Sequence, residues 1–263
     1  MTIRPNLLLK AYGIVRSALI YRANPWKRRR SRAFYGQFIG PGDLAFDIGA
    51  HLGDRVQAWL DLGARVVAVE PQPHLASVLR RLYDGNPAVT IVPAAVGAAS
   101  GHAELLINQR NPALSTLSPD WAATVARSPR FPGERWDDRV TVPVVTLDSL
   151  IGTHGVPRFC KIDVEGFEEA VLAGLSQPLP CLSFEFIPET LDRALACLRR
   201  LDDLGDWSYN VALGEARHLL FAEWLTQSAI LDWLADRRPS DGPEGGSGDI
   251  YARHIQNVPF RSF

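Results

Sequence analysis

A turn with two glycines, followed by an acid, is the first feature of the chain that could bind a cofactor. The turn reads D-I-G-A-H-L-G (47–53), and Glu70 ends the next apolar run, 23 positions after Asp47. Glycines let the backbone approach a ligand closely, and an acid at the end of a second strand can accept hydrogen bonds from both hydroxyls of a ribose. Together these residues predict binding of an adenosine-containing cofactor.

The spacing of the glycines narrows the class of cofactor. It reads G-x-x-x-G, whereas nicotinamide enzymes carry G-x-G-x-x-G and phosphate-binding loops carry a following G-K-[ST]. A nicotinamide-dependent oxidoreductase is therefore an alternative that the spacing disfavours. A cofactor-binding domain without catalysis is a second alternative. The acids described next count against it, because a domain that has lost catalysis has no reason to retain destabilising acids at the strand ends.

Those acids follow two further apolar runs. Asp163 and Glu165 lie in K-I-D-V-E-G-F-E (161–168), two positions apart, so they share a side if the strand persists that far. Glu185 lies in L-S-F-E-F (182–186) and would be costly to bury without a partner. Ligands of open α/β sheets bind at the carboxyl ends of strands, so we expect the acids of the 161–168 segment to lie beside the glycine turn.

Alternating apolar runs and helical periodicities predict the elements that position these residues. Apolar, β-branched runs predict strands at 44–48, 65–69, 89–96, 103–107, 140–145, 159–164, 182–186 and 249–255. Helical spacing of apolar residues predicts helices after Gly53 and at about 75–82, 167–175, 189–204 and 219–235. The alternation predicts an α/β fold with a mostly parallel sheet and helices on both faces.

One stretch, 108–139, interrupts this alternation. It is too long for an idle connection in a compact domain, and it contains Trp121, Trp136 and several prolines. We expect it to form a lid over the strand ends, with aromatic faces on which a sugar acceptor could stack.

Composition and charge limit the number of domains, the class of partner and the cellular setting. The 263 residues allow one large domain or two small ones, and 28 basic against 29 acidic side chains leave no global basic field for nucleic acid. The three cysteines form no C-x-x-C pair and are too few for a disulfide scaffold, which favours a reducing, cytoplasmic setting. The oligomeric state is open, a homodimer being one possibility.

The basic residues are concentrated at the start of the chain. Residues 1–42 contain nine basic side chains and no acidic one, and Gly40-Pro41-Gly42 is a turn signal. We therefore divide the chain into a basic amphipathic leader, 1–40, and a domain, 41–263. The leader could pack on the domain, contact an anionic membrane at its surface, or be a disordered arm; no apolar run is long enough to span a bilayer.

Four blocks of sequence resemble a known family. They are P-G-D-L-A-F-D-I-G-A-H-L-G, V-V-A-V-E-P, V-T-L-D-S-L and C-K-I-D-V-E-G-F-E-E-A-V-L-A-G, in this order. They resemble the FkbM-type methyltransferases over roughly residues 40–190, and K-I-D-V-E-G-x-E is the most specific of the matches. The leader and the last 60 or so residues, including a C-terminal extension over 208–263, fall outside the resemblance.

The resemblance implies a Rossmann-like seven-stranded methyltransferase fold, six strands parallel and one antiparallel, that uses S-adenosylmethionine. It implies, as the usual reaction, O-methylation of a hydroxyl on a sugar, glycan or other small hydroxylated metabolite. The cofactor-binding positions that follow from it are Asp47, Gly49, Ala50, His51, Gly53, Glu70, Pro71, Ala95 and Asp163. Family members often read N-x-A-V where this chain has P-A-A-V (93–96), so we expect adenine contacts there from the backbone alone.

A hydroxyl acceptor needs a base, because its pKa lies far above 7 and its proton must leave as it attacks. Asp163, Glu165 and His51 are the predicted catalytic residues, and Glu185 is a further candidate base. Two carboxylates could instead hold a divalent metal that acidifies the hydroxyl. No His and carboxylate set has ligand spacing that demands a metal, so the sequence predicts no metal site.

Overall fold

The computed structural model describes residues 25–214, 216–237 and 246–255, and ten strands and eight α-helices lie in these ranges. The strands are β1 Leu44–Ile48, β2 Arg65–Val69, β3 Val89–Val92, β4 Ala95–Val96, β5 Gly101–Ile107, β6 Asp138–Val145, β7 Phe159–Ile162, β8 Cys181–Phe186, β9 Trp207–Leu213 and β10 Gly248–His254. The helices are α1 Pro25–Tyr35, α2 Asp54–Leu60, α3 Pro73–Leu82, α4 Pro119–Arg127, α5 Leu147–His154, α6 Glu168–Ala173, α7 Leu191–Asp202 and α8 Gln227–Ala235.

Seven strands form the main sheet in the order β3-β2-β1-β7-β8-β10-β9. Neighbours from β3 to β8 pair in parallel, and β10 pairs antiparallel with both β8 and β9, so one strand of the seven runs against the others. This confirms the predicted α/β fold with six parallel strands and one antiparallel. The strand order reverses at β1, where the loops after β1 and β7 lie side by side, and such a reversal is where open α/β sheets bind ligands.

The central strands form because both faces of the sheet are covered. β1 is buried at all five positions, which is typical of parallel strands with helices on each side. One face carries Phe46 and Ile48 in the larger apolar cluster, and the other carries Ala45 beside Phe159. Asp47 shares the face of Ala45, and in the register of the sheet it lies beside Lys161 of β7. Two charged side chains therefore lie within the core of the sheet.

The helix α1 belongs to this packing although it precedes the predicted domain. Tyr35 is fully buried and meets Trp59 edge-on, with ring centroids 5.4 Å apart. Phe38, three residues beyond Tyr35, stacks on Tyr251 of β10 at 5.2 Å. The last turn of α1 and the residues after it are therefore part of the core, while residues 1–24 of the predicted leader lie outside the described residues. The division at residue 40 stays a prediction.

Two predicted elements differ in extent from the structure. The strand predicted over 89–96 is split at Pro93: β3 ends at Val92, and β4 joins a second, three-stranded sheet of order β4-β6-β5. Proline lacks a backbone N–H and cannot extend the ladder. The helix predicted over 219–235 begins only at Gln227, where the Thr226 hydroxyl caps it by accepting from the Ala229 N–H.

The stretch 108–139 also differs from its predicted role. Trp121 of α4 is 2% exposed and meets Trp136 edge-on at 5.9 Å, and Trp136 donates its indole N–H to the Leu114 carbonyl. The expectation of an aromatic face for sugar stacking is therefore wrong for Trp121, which is buried in a small core inside the stretch. Trp136 is only partly buried against that core, so a stacking role for it stays a prediction. The stretch still reaches the strand ends, through the short 3₁₀ helix Pro112–Leu114 and the residues after it.

Candidate functional site

The glycine turn after β1 is held against the end of β7 at a distance that only glycine permits. Gly49 has φ of +85°, and a Cβ built on it would lie 1.8 Å from the carbonyl oxygen of Asp163. The Asp163 N–H donates to the Ile48 carbonyl at 2.9 Å, which continues the β1–β7 pairing past both strands. Since backbone atoms of the two loops are in contact, the first turn and the acid segment form one structural unit.

Glu70 connects this turn to the loop after β2. One carboxylate oxygen accepts from the backbone N–H of His51 and the other from that of Gln72, both at 2.8 Å. Burial raises the pKa of Glu70 to about 7, although the two N–H donors act in the opposite direction. Each carboxylate oxygen has a second lone pair, which suits hydroxyls that donate two hydrogen bonds to one carboxylate.

A cavity of about 520 Å³, its open mouth included, lies between the first turn, the end of β2, the 94–96 segment and the 112–117 segment. Gly49, Glu70, Pro71 and Ala95, four of the residues predicted to bind the cofactor, line it, and we call it the cofactor cavity. Most other lining side chains are apolar or small: Ile48, Val69, Ala94, Val96, Leu105, Pro112, Ala113, Leu117, Val164 and Phe167. The 94–96 wall offers backbone groups as its polar atoms, as expected from P-A-A-V.

The remaining predicted cofactor positions differ in their placement. His51 and Asp163 line the cofactor cavity, and Ala50 lines the neighbouring one. Asp47 and Gly53 line neither: Asp47 is fully buried, and Gly53 has a left-handed backbone at the start of α2, where its carbonyl accepts from the Tyr83 hydroxyl at 3.0 Å. Gly53 therefore acts on the shape of the turn, and its role in binding stays a prediction.

Asp163 is held by two cations. Its carboxylate lies 3.0 Å from the Arg55 guanidinium and 3.4 Å from the Lys161 ammonium, and Lys161 also contacts Asp249 of β10 at 2.7 Å. Burial alone would raise the pKa of Asp163, but the charges of Lys161 and Arg55 outweigh it and hold the pKa below its usual range. Asp163 is therefore ionised and anchored at neutral pH.

Glu165 and Glu185 have no such partners. Within the described ranges, no hydrogen bond or ion pair engages either carboxylate, and one oxygen of each lies within 4.8 Å of the other and of Asp163. Burial, and then the neighbouring negative charges, raise both pKa values well above the usual range. Glu165 has a left-handed backbone with φ of +56°, and its carbonyl accepts from the Thr116 hydroxyl at 2.6 Å. This backbone holds the side chain at the mouth of both cavities.

The second cavity, which we call the charged chamber, joins the cofactor cavity. Its empty space is about 1120 Å³, open solvent included. Five residues line both cavities: Gly49, His51, Ala113, Asp163 and Glu165. The chamber's outer wall comes from Gly214 and Arg217 after β9 and from the 247–249 segment at the start of β10. The two cavities therefore meet at the glycine turn and the acid segment.

The pKa values of His51 and Asp47 are shifted in the directions that burial imposes. Burial lowers the pKa of His51 to about 4, so its imidazole is neutral at pH 7. Burial raises the pKa of Asp47 to about 6, and neither of its oxygens has a hydrogen-bond partner among the described residues. Asp47 is thus a buried negative charge directly behind the glycine turn, which favours a positively charged ligand in front of it.

The arrangement defines a class of protein: a doubly wound α/β fold with a mostly apolar cavity where the strand order reverses, joined to a chamber that carries acids. The family model described as the methyltransferase FkbM domain matches residues 47–203, more than half of the chain. The chain therefore belongs to the FkbM methyltransferase family and is an S-adenosylmethionine-dependent methyltransferase. The resemblance seen in the sequence is confirmed.

Solved structures of other methyltransferases are similar at low identity. A TehB-like S-adenosylmethionine-dependent methyltransferase from Corynebacterium glutamicum is 9% identical, with a TM-score of 0.44 and coverage of 94% of this chain and 98% of that one. Precorrin-6y C5,15-methyltransferase from Geobacter metallireducens is 13% identical, with a TM-score of 0.43 and coverage of 89% and 91%. A search of curated proteins finds no match to this chain.

The sequence pattern does not indicate several residues of the site. Arg55 lies in the first turn of α2, Gln72 bonds Glu70 and the Pro112 carbonyl, and Asp249 neutralises Lys161. The sequence does carry a signal for Asp249, because this acid begins the strand predicted over 249–255. The pairing of Arg55 with Asp163 had none, since 108 positions separate them. In the described part of the chain, no helix is both long and apolar enough to cross a membrane.

Proposed function

We propose that the protein transfers a methyl group from S-adenosylmethionine to a hydroxyl of a small hydroxylated molecule, such as a sugar, a glycan or another metabolite, with Glu165 as the base. One observation carries the proposal. Of the ionisable residues that line both cavities, Glu165 is the one carboxylate without a partner among the described residues, so it lies between donor and acceptor and is available to take a proton.

The cofactor fits the residues present. Gly49 brings backbone within reach of a ligand, Glu70 has lone pairs for ribose hydroxyls, and the 94–96 segment offers a wall of small apolar side chains. The buried charge of Asp47 suits the positive charge of a sulfonium donor. When bound, S-adenosylmethionine supplies an electrophilic methyl group.

The chain's own residues handle the proton. As the acceptor oxygen formed its new bond to the methyl carbon, the carbon–sulfur bond of the donor would break and leave a neutral thioether. The O–H bond of the acceptor would break as well, and its proton would pass to a Glu165 carboxylate oxygen. A raised pKa makes this carboxylate a stronger base than an ordinary glutamate, and a pKa nearer to the working pH suits general-base catalysis. Glu185 lies close beside it, so the two carboxyl groups titrate as a pair.

The other predicted catalytic residues fit positioning better than proton transfer. Asp163 is bound to Arg55 and Lys161 and has a lowered pKa, so it is a weak base fixed in place. His51 is neutral at pH 7, but its lowered pKa gives it little driving force to hold a proton. We assign Asp163 to placement of the cofactor and of the first turn, and keep His51 as an alternative base.

The experiment is a methyl-transfer screen with isotopically labelled S-adenosylmethionine against glycans, glycolipids and small hydroxylated metabolites. Label should appear on oxygen of at least one acceptor class. Label on nitrogen or carbon would contradict the O-methyl assignment. Calorimetry with S-adenosylmethionine and with NAD tests the nicotinamide alternative, for which binding of NAD alone would be the supporting result.

A separate proposal concerns the basic N-terminal segment, residues 1–42, as a dock for an anionic membrane. Its described part exposes four arginines on α1, namely Arg28, Arg29, Arg30 and Arg32. Each basic residue near an anionic surface contributes about 1 kcal/mol. We expect co-sedimentation with vesicles containing anionic lipid, weakened by about 2 kcal/mol in the double variant R29Q/R30Q. Equal binding to neutral vesicles would contradict the proposal.

A further inference from the structure

The charged chamber has a composition that selects among acceptors. Its wall carries five carboxylates, those of Asp54, Asp163, Glu165, Glu185 and Asp249. Two guanidiniums, of Arg55 and Arg217, share the wall, and the Lys161 ammonium lies buried just behind it. Carboxylates therefore outnumber cations in and behind this wall.

Every one of these cations is already matched with a carboxylate. Arg55 contacts Asp163 at 3.0 Å, and Lys161 contacts Asp249 at 2.7 Å. Arg217 lies 3.9 Å from Asp54, and its guanidinium also donates to the Ser31 hydroxyl at 3.0 Å. A phosphate or carboxylate entering the chamber would thus have to break an ion pair to find a positive partner, and it would face the two remaining acids.

The two remaining acids, Glu165 and Glu185, are suited to hydroxyl groups. Their oxygens lie within 4.8 Å of each other, so repulsion favours one shared proton and leaves one negative charge on the pair. A protonated carboxyl donates a hydrogen bond and a carboxylate accepts one, which matches the two abilities of a hydroxyl. Recognition by stacking has no support here, since no Phe, Tyr or Trp is among the described residues found to line the chamber.

Resting on the function proposed above, we propose that the charged chamber is the acceptor site and that it accepts neutral or positively charged polyhydroxyl compounds, such as neutral or amino sugars, and rejects those bearing phosphate or carboxylate. Part of the wall, Gly214, Arg217 and the 247–249 segment, lies outside the 47–203 region that the family model matches. Selectivity for the acceptor is therefore set partly by the chain's own C-terminal strands and the ends of the loop between them.

The chamber's potential can be measured without knowing the acceptor. Ser247 lines the chamber, and the native Cys160, Cys181 and Cys197 are all buried, so a Ser247→Cys variant offers one reactive thiol there. Its labelling rates with a cationic and an anionic methanethiosulfonate reagent are compared, without cofactor, with those of a Ser100→Cys variant, whose thiol lies on the exposed surface. We expect the cationic-to-anionic rate ratio of the chamber thiol to exceed that of the surface thiol by about tenfold.

The double variant E165Q/E185Q removes the unpaired charge and should bring the ratio of the chamber thiol down to the surface value. The matched surface variant E104Q/E169Q should leave it unchanged, since both of those acids are exposed. A ratio at or below that of the surface thiol, no labelling of the chamber thiol, or no response to E165Q/E185Q would overturn the proposal.

The acceptor screen gives the second arm, with each sugar tested as its amino, neutral and carboxylate form. Preference for the amino or neutral form supports the proposal, and a carboxylate or phosphate ester as the best acceptor overturns it. Absence of any methyl transfer would count against the proposed function alone, because the labelling rates do not depend on catalysis.

Discussion

The cofactor cavity and the charged chamber share one edge but are built in opposite ways. The cofactor cavity consists mainly of backbone, small residues and apolar side chains, most of them from loops after β1 and β2 and from the 94–96 and 112–117 segments. The charged chamber carries seven charged side chains, brought together from positions as distant as Arg55 and Asp249. One is shaped by turns and the other by ion pairs.

This difference separates what each cavity can control. In the cofactor cavity, one acid with two backbone donors and a glycine contact set the fit, so substitutions there should change affinity for the cofactor. In the chamber, three ion pairs and two unpaired acids set the charge, so substitutions there should change rate, pH dependence and acceptor choice. Glu165 lies at the shared edge, so its substitution should show most clearly whether an effect on rate can occur without an effect on cofactor affinity.

Glu165→Gln should give the largest effect. Loss of the base should lower kcat by about 10²–10⁴-fold with little change in cofactor affinity, because the amide keeps the shape but cannot take a proton. The variant should also lose the acid limb of the pH–rate profile, which arises because the base works only when ionised. Stopped assays with labelled donor, together with calorimetry for cofactor binding, provide the measurement.

The neighbouring Glu169→Gln serves as the control, since Glu169 is exposed and lies four positions further along. It should keep wild-type kcat. Full activity of Glu165→Gln with an unchanged pH–rate profile would show that Glu165 is not the base. His51 or Glu185 would then be the candidate for that role.

Glu70→Ala should act on affinity instead. It removes a carboxylate that accepts two backbone N–H groups and is expected to hold ribose hydroxyls, so cofactor binding should weaken by about 1–3 kcal/mol. Some stability should also be lost, because the His51 and Gln72 N–H groups lose their acceptor. Calorimetry and thermal unfolding measure the two effects separately, with exposed Asp84→Ala as the control. Cofactor affinity equal to wild type would refute the ribose assignment.

Glu185→Gln should shift the acid limb of the pH–rate profile without abolishing catalysis. The negative charge of Glu185 helps to raise the pKa of Glu165, so its removal should lower that pKa. Since the rate falls as pH drops through the pKa of the base, the acid limb should shift to lower pH, by about one unit, equivalent to about 1.4 kcal/mol. An unshifted limb in kcat measured across pH would show that the two acids do not titrate together.

The same contrast explains how much of the molecule the sequence could predict. The residues of the cofactor cavity can be located from local sequence. The glycine turn, Glu70 and P-A-A-V each lie at the end of one apolar run, so the order of the strands brings them to the same edge of the sheet. The fold followed from the same alternation, and the family blocks lie largely in this half and in the acid segment. Asp163 and Glu165 were found for the same reason, as acids at a strand end.

The chamber half depends on contacts that sequence spacing does not encode. The pairing of Lys161 with Asp249 needs the antiparallel insertion of β10 between β8 and β9, and the pairing of Arg55 with Asp163 needs the close Gly49 contact. The tryptophans of the 108–139 stretch show the same limit. Their residue type suggests a ligand surface, whereas only the tertiary packing of α4 reveals that Trp121 is buried and that Trp136 packs edge-on against it.

Removal of divalent cations should have the smallest effect, and it tests whether the chamber works by side-chain charges alone. Asp163, Glu165 and Glu185 bring carboxylate oxygens within 4.8 Å of one another, close enough for a cation to lie between them. However, Asp163 is already bound to Arg55 and Lys161, so only two acids remain for a metal, fewer ligands than Mg²⁺ or Ca²⁺ sites require without many waters. We therefore expect methyl transfer to be unchanged after treatment with EDTA and exchange into metal-free buffer, and unchanged again on addition of Mg²⁺. Activity that is lost on chelation and restored by Mg²⁺ would show that a metal ion binds these acids in place of the side-chain cations. Glu165 would then be a metal ligand and not the base.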